Sequence, residues 1–257
     1  EDRRVVARSL CHIARVHVPR GHTDDALDAA NEAIQVYEQI QDRWGVAMAR
    51  TVLGEVLAGC GKHEAALKVW EGAEAVASAI GDPARRLELA ILRSESLLAL
   101  GQWRDAAEQM TVAVQLAKEI NDPEMLSGVY RVQATISLER QSVDTADLDS
   151  MQAVEVARQS GARSQVARAL LVRGCVLGTQ ALAESGERGV EADQQANDCF
   201  EQALDAFSEM GDLVRRVSGL QAYANYLSQR GNDSRLAAVE ARLSVAQQEL
   251  RQVSGVN

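Results

Sequence analysis

A unit of about 40 residues recurs along this chain, marked by Asp42, Gly81-Asp82-Pro83 and Asn121-Asp122-Pro123, with Gly21, Gly61 and Gly101 midway between. A period of that length points to stacked supersecondary units, because each unit buries its apolar face only against its neighbours. The 257 residues would otherwise allow one or two domains, but the repeat predicts one continuous array. Stacks of this kind more often bind partners than catalyse, so the period already bears on function.

The punctuation of the repeat is helical. Two of the three prolines, Pro83 and Pro123, follow an aspartate. That order suits Asp at a helix N-cap and Pro at the first helical position, where the missing N–H costs nothing. Gly81 just upstream suits the left-handed residue that ends the preceding helix. Between these marks the apolar residues follow a helical period, and β-branched clusters bounded by turn signals are absent. The fold class is therefore all-α. Helices are expected over 3–18, 24–39, 43–58, 63–79, 83–100 and 103–120, then over 123–140, 145–159, 163–183, 191–210, 213–230 and 234–251. They pair into six hairpins with unit boundaries at about 1–41, 42–81, 82–121, 122–161, 162–211 and 212–257. The step from Gly161 to Gly211 is 50 residues, and its surplus, 184–190, reads as a surface loop or an extension of the flanking helices.

Small residues recur where helices must approach closely. The sets are Ala14, Ala26 and Ala33; Gly54, Ala66 and Ala73 with Trp70 between the alanines; Ser94, Ala106 and Ala113; Ala134, Ala146 and Ala153; and Gly174, Ala196 and Ala203 with Phe200. This pattern, over residues 3–252, resembles the tetratricopeptide repeat family, with its small residue in the first helix and two alanines seven apart in the second. The 40-residue form ending in Gly-Asp looks like that of spindle-orientation scaffolds, kinesin light chains and regulatory segments of bacterial signalling ATPases and transcription activators. The resemblance implies a right-handed superhelical solenoid of about six hairpins that binds peptides, protein segments or, occasionally, small effectors. Departures are Arg93, Gln133 and Arg173 where the first helix usually holds Leu, and Leu236 and Leu243 where the last unit should hold alanines. HEAT or armadillo stacks have a similar period but do not require the paired alanines.

Composition narrows the chemistry. A net charge of −10 disfavours a nucleic-acid backbone or an anionic membrane as partner. Cys11, Cys60, Cys175 and Cys199 are scattered among apolar helical residues without C-x-x-C spacing, as expected of reduced thiols in a cytoplasm. No apolar stretch of about 18 residues is recognised as a membrane span. Glu1, rather than a methionine, suggests a segment of a longer protein. Gly59-Cys60-Gly61-Lys62-His63 lacks the first glycine and the Ser/Thr of a phosphate loop, so it reads as a helix–helix turn. His12, His17, His22 and His63 include no i, i+4 pair and read as structural or surface residues. Asn232-Asp233-Ser234 matches a glycosylation sequon that would be inert in a cytoplasmic chain. The apolar stripe of the last helix, Leu236, Val239, Leu243, Ala246 and Leu250, reads as an end cap. The expectation is a non-enzyme with no cofactor and no metal.

The resemblance implies that the first helices of successive units line a concave groove. The family pattern carries the partner-facing positions onto Arg8, Cys11 and Arg15; Met48, Thr51 and Glu55; and Glu88, Ile91 and Glu95. It continues with Arg131 and Thr135; Arg168, Leu171 and Cys175; and Ser218, Gln221 and Asn225. The middle is acidic and the flanks carry arginines, so the expected partner is a protein or peptide segment with a basic centre. The alternative is a small-effector sensor in a multidomain bacterial regulator. Self-association through stack ends is a further expectation.

Overall fold

The computed structural model describes residues 2–254, which hold twelve α-helices and no strand. They run α1 (Arg3–Arg20), α2 (Thr23–Gln39), α3 (Arg43–Gly59), α4 (His63–Ile80), α5 (Pro83–Ala99) and α6 (Trp103–Ile120). The second half continues with α7 (Pro123–Glu139), α8 (Val143–Ser160), α9 (Arg163–Ala183), α10 (Glu187–Met210), α11 (Leu213–Arg230) and α12 (Asp233–Ser254). Consecutive helices pack as six hairpins. Contacts divide the chain into two compact units, one of hairpins α1/α2 to α5/α6 ending at Asn121, the other of hairpins α7/α8 to α11/α12 starting at Asp122.

The helix starts follow the aspartates. Asp42, Asp82, Asp122 and Asp212 accept a hydrogen bond from the backbone N–H three residues on, opening α3, α5, α7 and α11, and Asp2 does so from Arg4 N for α1. Pro83 and Pro123 occupy the first turns of α5 and α7. Helix α9 lacks such a cap, since Ala162 stands at its N-cap. Gly21, Gly81, Gly161, Gly211 and Gly231 close helices in the left-handed region. Asn121, Gln41 and Gln141 take the same region with φ of 50°, 56° and 60° where the pattern elsewhere uses glycine.

Four boundaries move by two residues or more, one of them the end of α12, which lies at Ser254. Helix α1 continues past Pro19 to Arg20, because a proline that near the end interrupts little before Gly21 caps His17 and Val18. Helix α8 starts at Val143, and α10 at Glu187. The surplus of the fifth unit is thus mostly an added turn of α10, leaving residues 184–186 as the connection. Gly189 permits this, because a Cβ there would lie 2.4 Å from the Glu184 carbonyl oxygen.

The paired alanines mark the seam of the first five hairpins. Ala26, Ala33, Ala66, Ala73, Ala106, Ala113, Ala146, Ala153, Ala196 and Ala203 are all fully buried. Residue volumes across the seam are reciprocal. Gly54 faces the Trp70 indole, with a virtual Cβ only 2.0 Å from Nε1, and Gly174 faces Phe200 at 3.1 Å. Trp70 fills the space that Gly54 leaves and donates its Nε1–H to the Thr51 carbonyl at 3.0 Å. A buried indole N–H without an acceptor would be costly, so this bond matters.

Helix α9 corrects one expectation. The helix is long enough to cross a membrane, and an 18-residue stretch within it is apolar enough, with a mean hydropathy of 1.3. Arg168 and Arg173 interrupt the run, so the sequence offers no unbroken apolar stretch of that length. Ala167, Ala169, Leu170, Val176, Leu177 and Ala181 of this helix are buried among neighbouring helices of its unit. That is the pattern of a core helix.

Candidate functional site

Within the first unit, α1, α3 and α5 stand in succession, each first helix packing on the next. Their one-repeat spacing brings together residues 40 and 73 positions apart. Arg15 of α1 donates from Nη2 to Glu55 of α3 at 2.6 Å and to Glu88 of α5 at 2.9 Å, and from Nε to Glu55 at 3.1 Å. Arg85, one turn before Glu88, donates to the other Glu88 oxygen. The guanidinium of Arg85 also lies 5.8 Å from the Trp44 ring, whose Nε1–H donates to Asp82 at 2.9 Å. Side chains of Arg15, Glu55 and Glu88 retain 37%, 26% and 27% of their exposure. The cluster is therefore half-desolvated and still reachable. Burial opposes the charge on Arg15, but Glu55 and then Glu88 outweigh it and hold the guanidinium firmly protonated. Cys11, one turn before Arg15, is buried and its thiol is pushed up to about 11, mainly by desolvation.

The remaining expected groove residues divide by exposure. Arg8 is exposed and Glu95 half-buried, whereas Met48 and Ile91 are buried at 8% and Thr51 at 0%. The Thr51 hydroxyl bonds its own helix at the Ala47 carbonyl. These three serve packing, because the faces of α3 and α5 that carry them press on adjacent helices. In the second unit Arg131 is buried and donates to Gln165 at 3.1 Å, and Gln165 in turn donates to Glu124. Thr135 bonds the Arg131 carbonyl, Arg168 is half-buried, and Leu171 packs partly buried against the core. Half-buried Cys175 accepts at its carbonyl from Thr179, and exposed Ser218 donates to the Val214 carbonyl. Gln221 and Asn225 are exposed and bonded to each other at 3.0 Å. The structure thus joins Arg15, Glu55 and Glu88 into one cluster and turns Met48, Thr51, Ile91 and Arg131 inward. Arg85 is the member that sequence reasoning missed. Its i, i+3 spacing to Glu88 was the available signal.

A departure from the repeat pattern also finds its explanation. Arg173, standing where a leucine is usual, reaches Asp147 and the Ser150 hydroxyl of α8, the latter at 2.9 Å. Ser150 takes the place between the paired alanines that Trp70 and Phe200 fill elsewhere, so a polar pair replaces an apolar one.

The family model for anaphase-promoting complex subunit 5 matches residues 2–58 and 77–142, just under half of the chain. No curated protein matches the sequence. Among solved structures, a Rap protein complexed with competence and sporulation factor aligns with a TM-score of 0.78 at 16% identity, covering 98% of this chain and 66% of that one. The apo form of RapI aligns at 0.74 and 11% identity, covering 98% and 86%. Aspartyl phosphate phosphatase F from Bacillus subtilis aligns at 0.72 and 15% identity, covering 96% and 61%. What these share with the chain is the fold. The chain spans just under two thirds of the first and the last of these proteins.

One expectation falls with this comparison. A protein named as a phosphatase has the same helical-hairpin architecture. A repeat stack therefore does not by itself identify a non-enzyme, and the inference from architecture to absence of catalysis is withdrawn.

Proposed function

We propose that this chain is a peptide- or protein-segment-binding module of a cytoplasmic regulator or scaffold, recognising its partner along the face shared by its first helices. The observation that carries this reading is the Arg15–Glu55–Glu88–Arg85 cluster. Three successive first helices contribute charged groups to one half-exposed patch, and side chains already held in place lose little freedom when a ligand arrives. A fold neighbour was solved with competence and sporulation factor bound, which supports a binding role for an architecture of this type. The partner segment has a basic centre that competes with Arg15 and Arg85 for the two carboxylates, while its acidic groups take up the displaced guanidiniums. Such exchange governs orientation and specificity more than net affinity, because the internal pairs must be broken first.

The test is a random peptide library selected against the wild-type chain, with binders measured against Glu55→Lys/Glu88→Lys/Glu95→Lys. The triple reversal should weaken a selected peptide by about tenfold or more, as losing two or three interfacial charge pairs implies. Helix content by circular dichroism checks folding, and Glu55→Gln/Glu88→Gln provides a milder variant. Unchanged affinity and salt dependence in a folded variant would remove the shared first-helix face as the binding site.

A further inference from the structure

The turn between α1 and α2 holds the only group of three or more potential metal-ligating side chains that converge among the described residues: His17, His22 and Asp25. The turn's backbone explains the convergence. Gly21 is left-handed with φ of 80°, and the N–H of His22 bonds the His17 carbonyl at 3.2 Å while that of Gly21 bonds Val18. This bonding brings together the side chains two residues past the helix end and three before it, a place where apolar groups usually touch. The corresponding pairs at the other hairpin turns are Leu57 with Lys62, Leu97 with Gln102, Ser137 with Ser142 and Leu227 with Asn232. Only here are both members imidazoles, and their rings meet edge to face with centroids 5.3 Å apart.

Asp25 supplies the third group. It stands three residues after His22, the N-cap of α2, where a carboxylate turns back toward the helix start. Its Oδ2 lies 3.9 Å from Nδ1 of His17 and 3.9 Å from Nδ1 of His22. The ligand atoms all fall within 4.8 Å of one another. Ligands about 2.0–2.1 Å from a zinc ion sit roughly 3.3 Å apart, so shifts of about 1 Å would complete the set. Asp25 at 68% exposure and His22 at 43% have room for them. A second observation points the same way: Nδ1 of His17 is buried and makes no hydrogen bond. A buried imidazole nitrogen without a hydrogen-bond partner is costly, and a metal ion would supply the missing partner.

We infer that His17, His22 and Asp25 form a binding site for a divalent transition ion of the zinc class, with solvent completing the coordination. Two imidazoles and one carboxylate suit zinc, cobalt or nickel and disfavour magnesium or calcium, which take all-oxygen shells. The ion links the end of α1 to the start of α2. This set shares no residue with the Arg15–Glu55–Glu88–Arg85 cluster.

The test uses the full chain freed of metal by chelation. Zinc titrated by calorimetry should bind at one equivalent, and cobalt should give the visible absorption of a low-coordinate nitrogen/oxygen site. His17→Ala and His22→Ala should each weaken zinc by at least the roughly tenfold that loss of an outer-shell partner costs. Asp25→Asn should weaken it as well, whereas His12→Ala and His63→Ala should leave it unchanged. Helix content of each metal-free variant is compared with wild type. If His17→Ala fails to fold, His22→Ala and Asp25→Asn at the more exposed positions decide the matter. Absence of saturable zinc binding, or unchanged affinity in a folded His22→Ala/Asp25→Asn variant, overturns the site.

Discussion

A single position in each hairpin, the small residue of the first helix, sets how closely two helices pack. Gly54 has no Cβ because the Trp70 ring occupies its place, and Gly174 makes similar but looser room for Phe200. Elsewhere a helical glycine replaced by alanine gains stability from reduced chain entropy. Here the sign reverses. Gly54→Ala should destabilise by about 1–3 kcal/mol, since the fully buried indole must move against close-packed neighbours and its bond to Thr51 would be strained. Gly174→Ala should cost less, because its new methyl would meet Phe200 at 3.1 Å. Urea denaturation of both variants tests the order, and an equal or smaller loss for Gly54→Ala would refute the reciprocal seam. The alanines and Trp70 were legible as sequence. The pairing of each glycine with an aromatic was not, because it depends on which side chains face each other across the seam.

At the scale of the helix, the repeat's aspartates act as N-caps for α1, α3, α5, α7 and α11, and α9 alone among the first helices has no side chain to do so. Ala162 already holds the extended conformation of an N-cap, with φ −77° and ψ 101°. Ala162→Asp should therefore stabilise the chain by about 1 kcal/mol, visible as a raised denaturation midpoint. Asp82→Ala should cost about 1 kcal/mol for the cap. It also removes the acceptor of the Trp44 Nε1–H, so Trp44 fluorescence should change with it. A midpoint unmoved by Ala162→Asp would show that the Gln165 N–H, which already bonds the Ala162 carbonyl at 3.0 Å, leaves no unsatisfied donor to cap. The helix ends at Gly81, Gly161 and Gly211 were readable from residue type. The left-handed Gln41 and Gln141 were not, because glutamine carries no such signal and the conformation goes with the helix-ending backbone bonds from the Asp42 N–H to Tyr37 and from the Ser142 N–H to Ser137.

At the scale of the molecule, titratable groups desolvated wholly or in part lie in both compact units. Cys11 and Tyr37 lie in the first, Cys175 and Tyr223 in the second. Burial pushes both thiols from 9.0 to about 11 and both phenols from 10.0 to about 12. The native state thus keeps protons that the unfolded chain gives up. Stability from these groups is full below about pH 9 and is lost as pH rises through the native values near 11 and 12. The urea midpoint should hold from pH 7 to 8.5 and fall steadily toward pH 11, with a shallower fall in Cys11→Ala/Cys175→Ala. A midpoint constant between pH 9 and 11 would contradict the native values. The period, the Asp-Pro and Gly marks and the paired alanines determined, by sequence alone, that the chain forms six helical hairpins, because capping and close packing are local demands that residue type and spacing must meet. Only the tertiary structure decided which polar residues meet. It joined Arg15 to Glu55 and Glu88 across two repeats, buried Met48, Thr51 and Ile91, and set His17 beside His22 and Asp25. Those outcomes depend on the phase of each helix against its neighbours and on the dihedrals of one glycine turn, which residue spacing does not record.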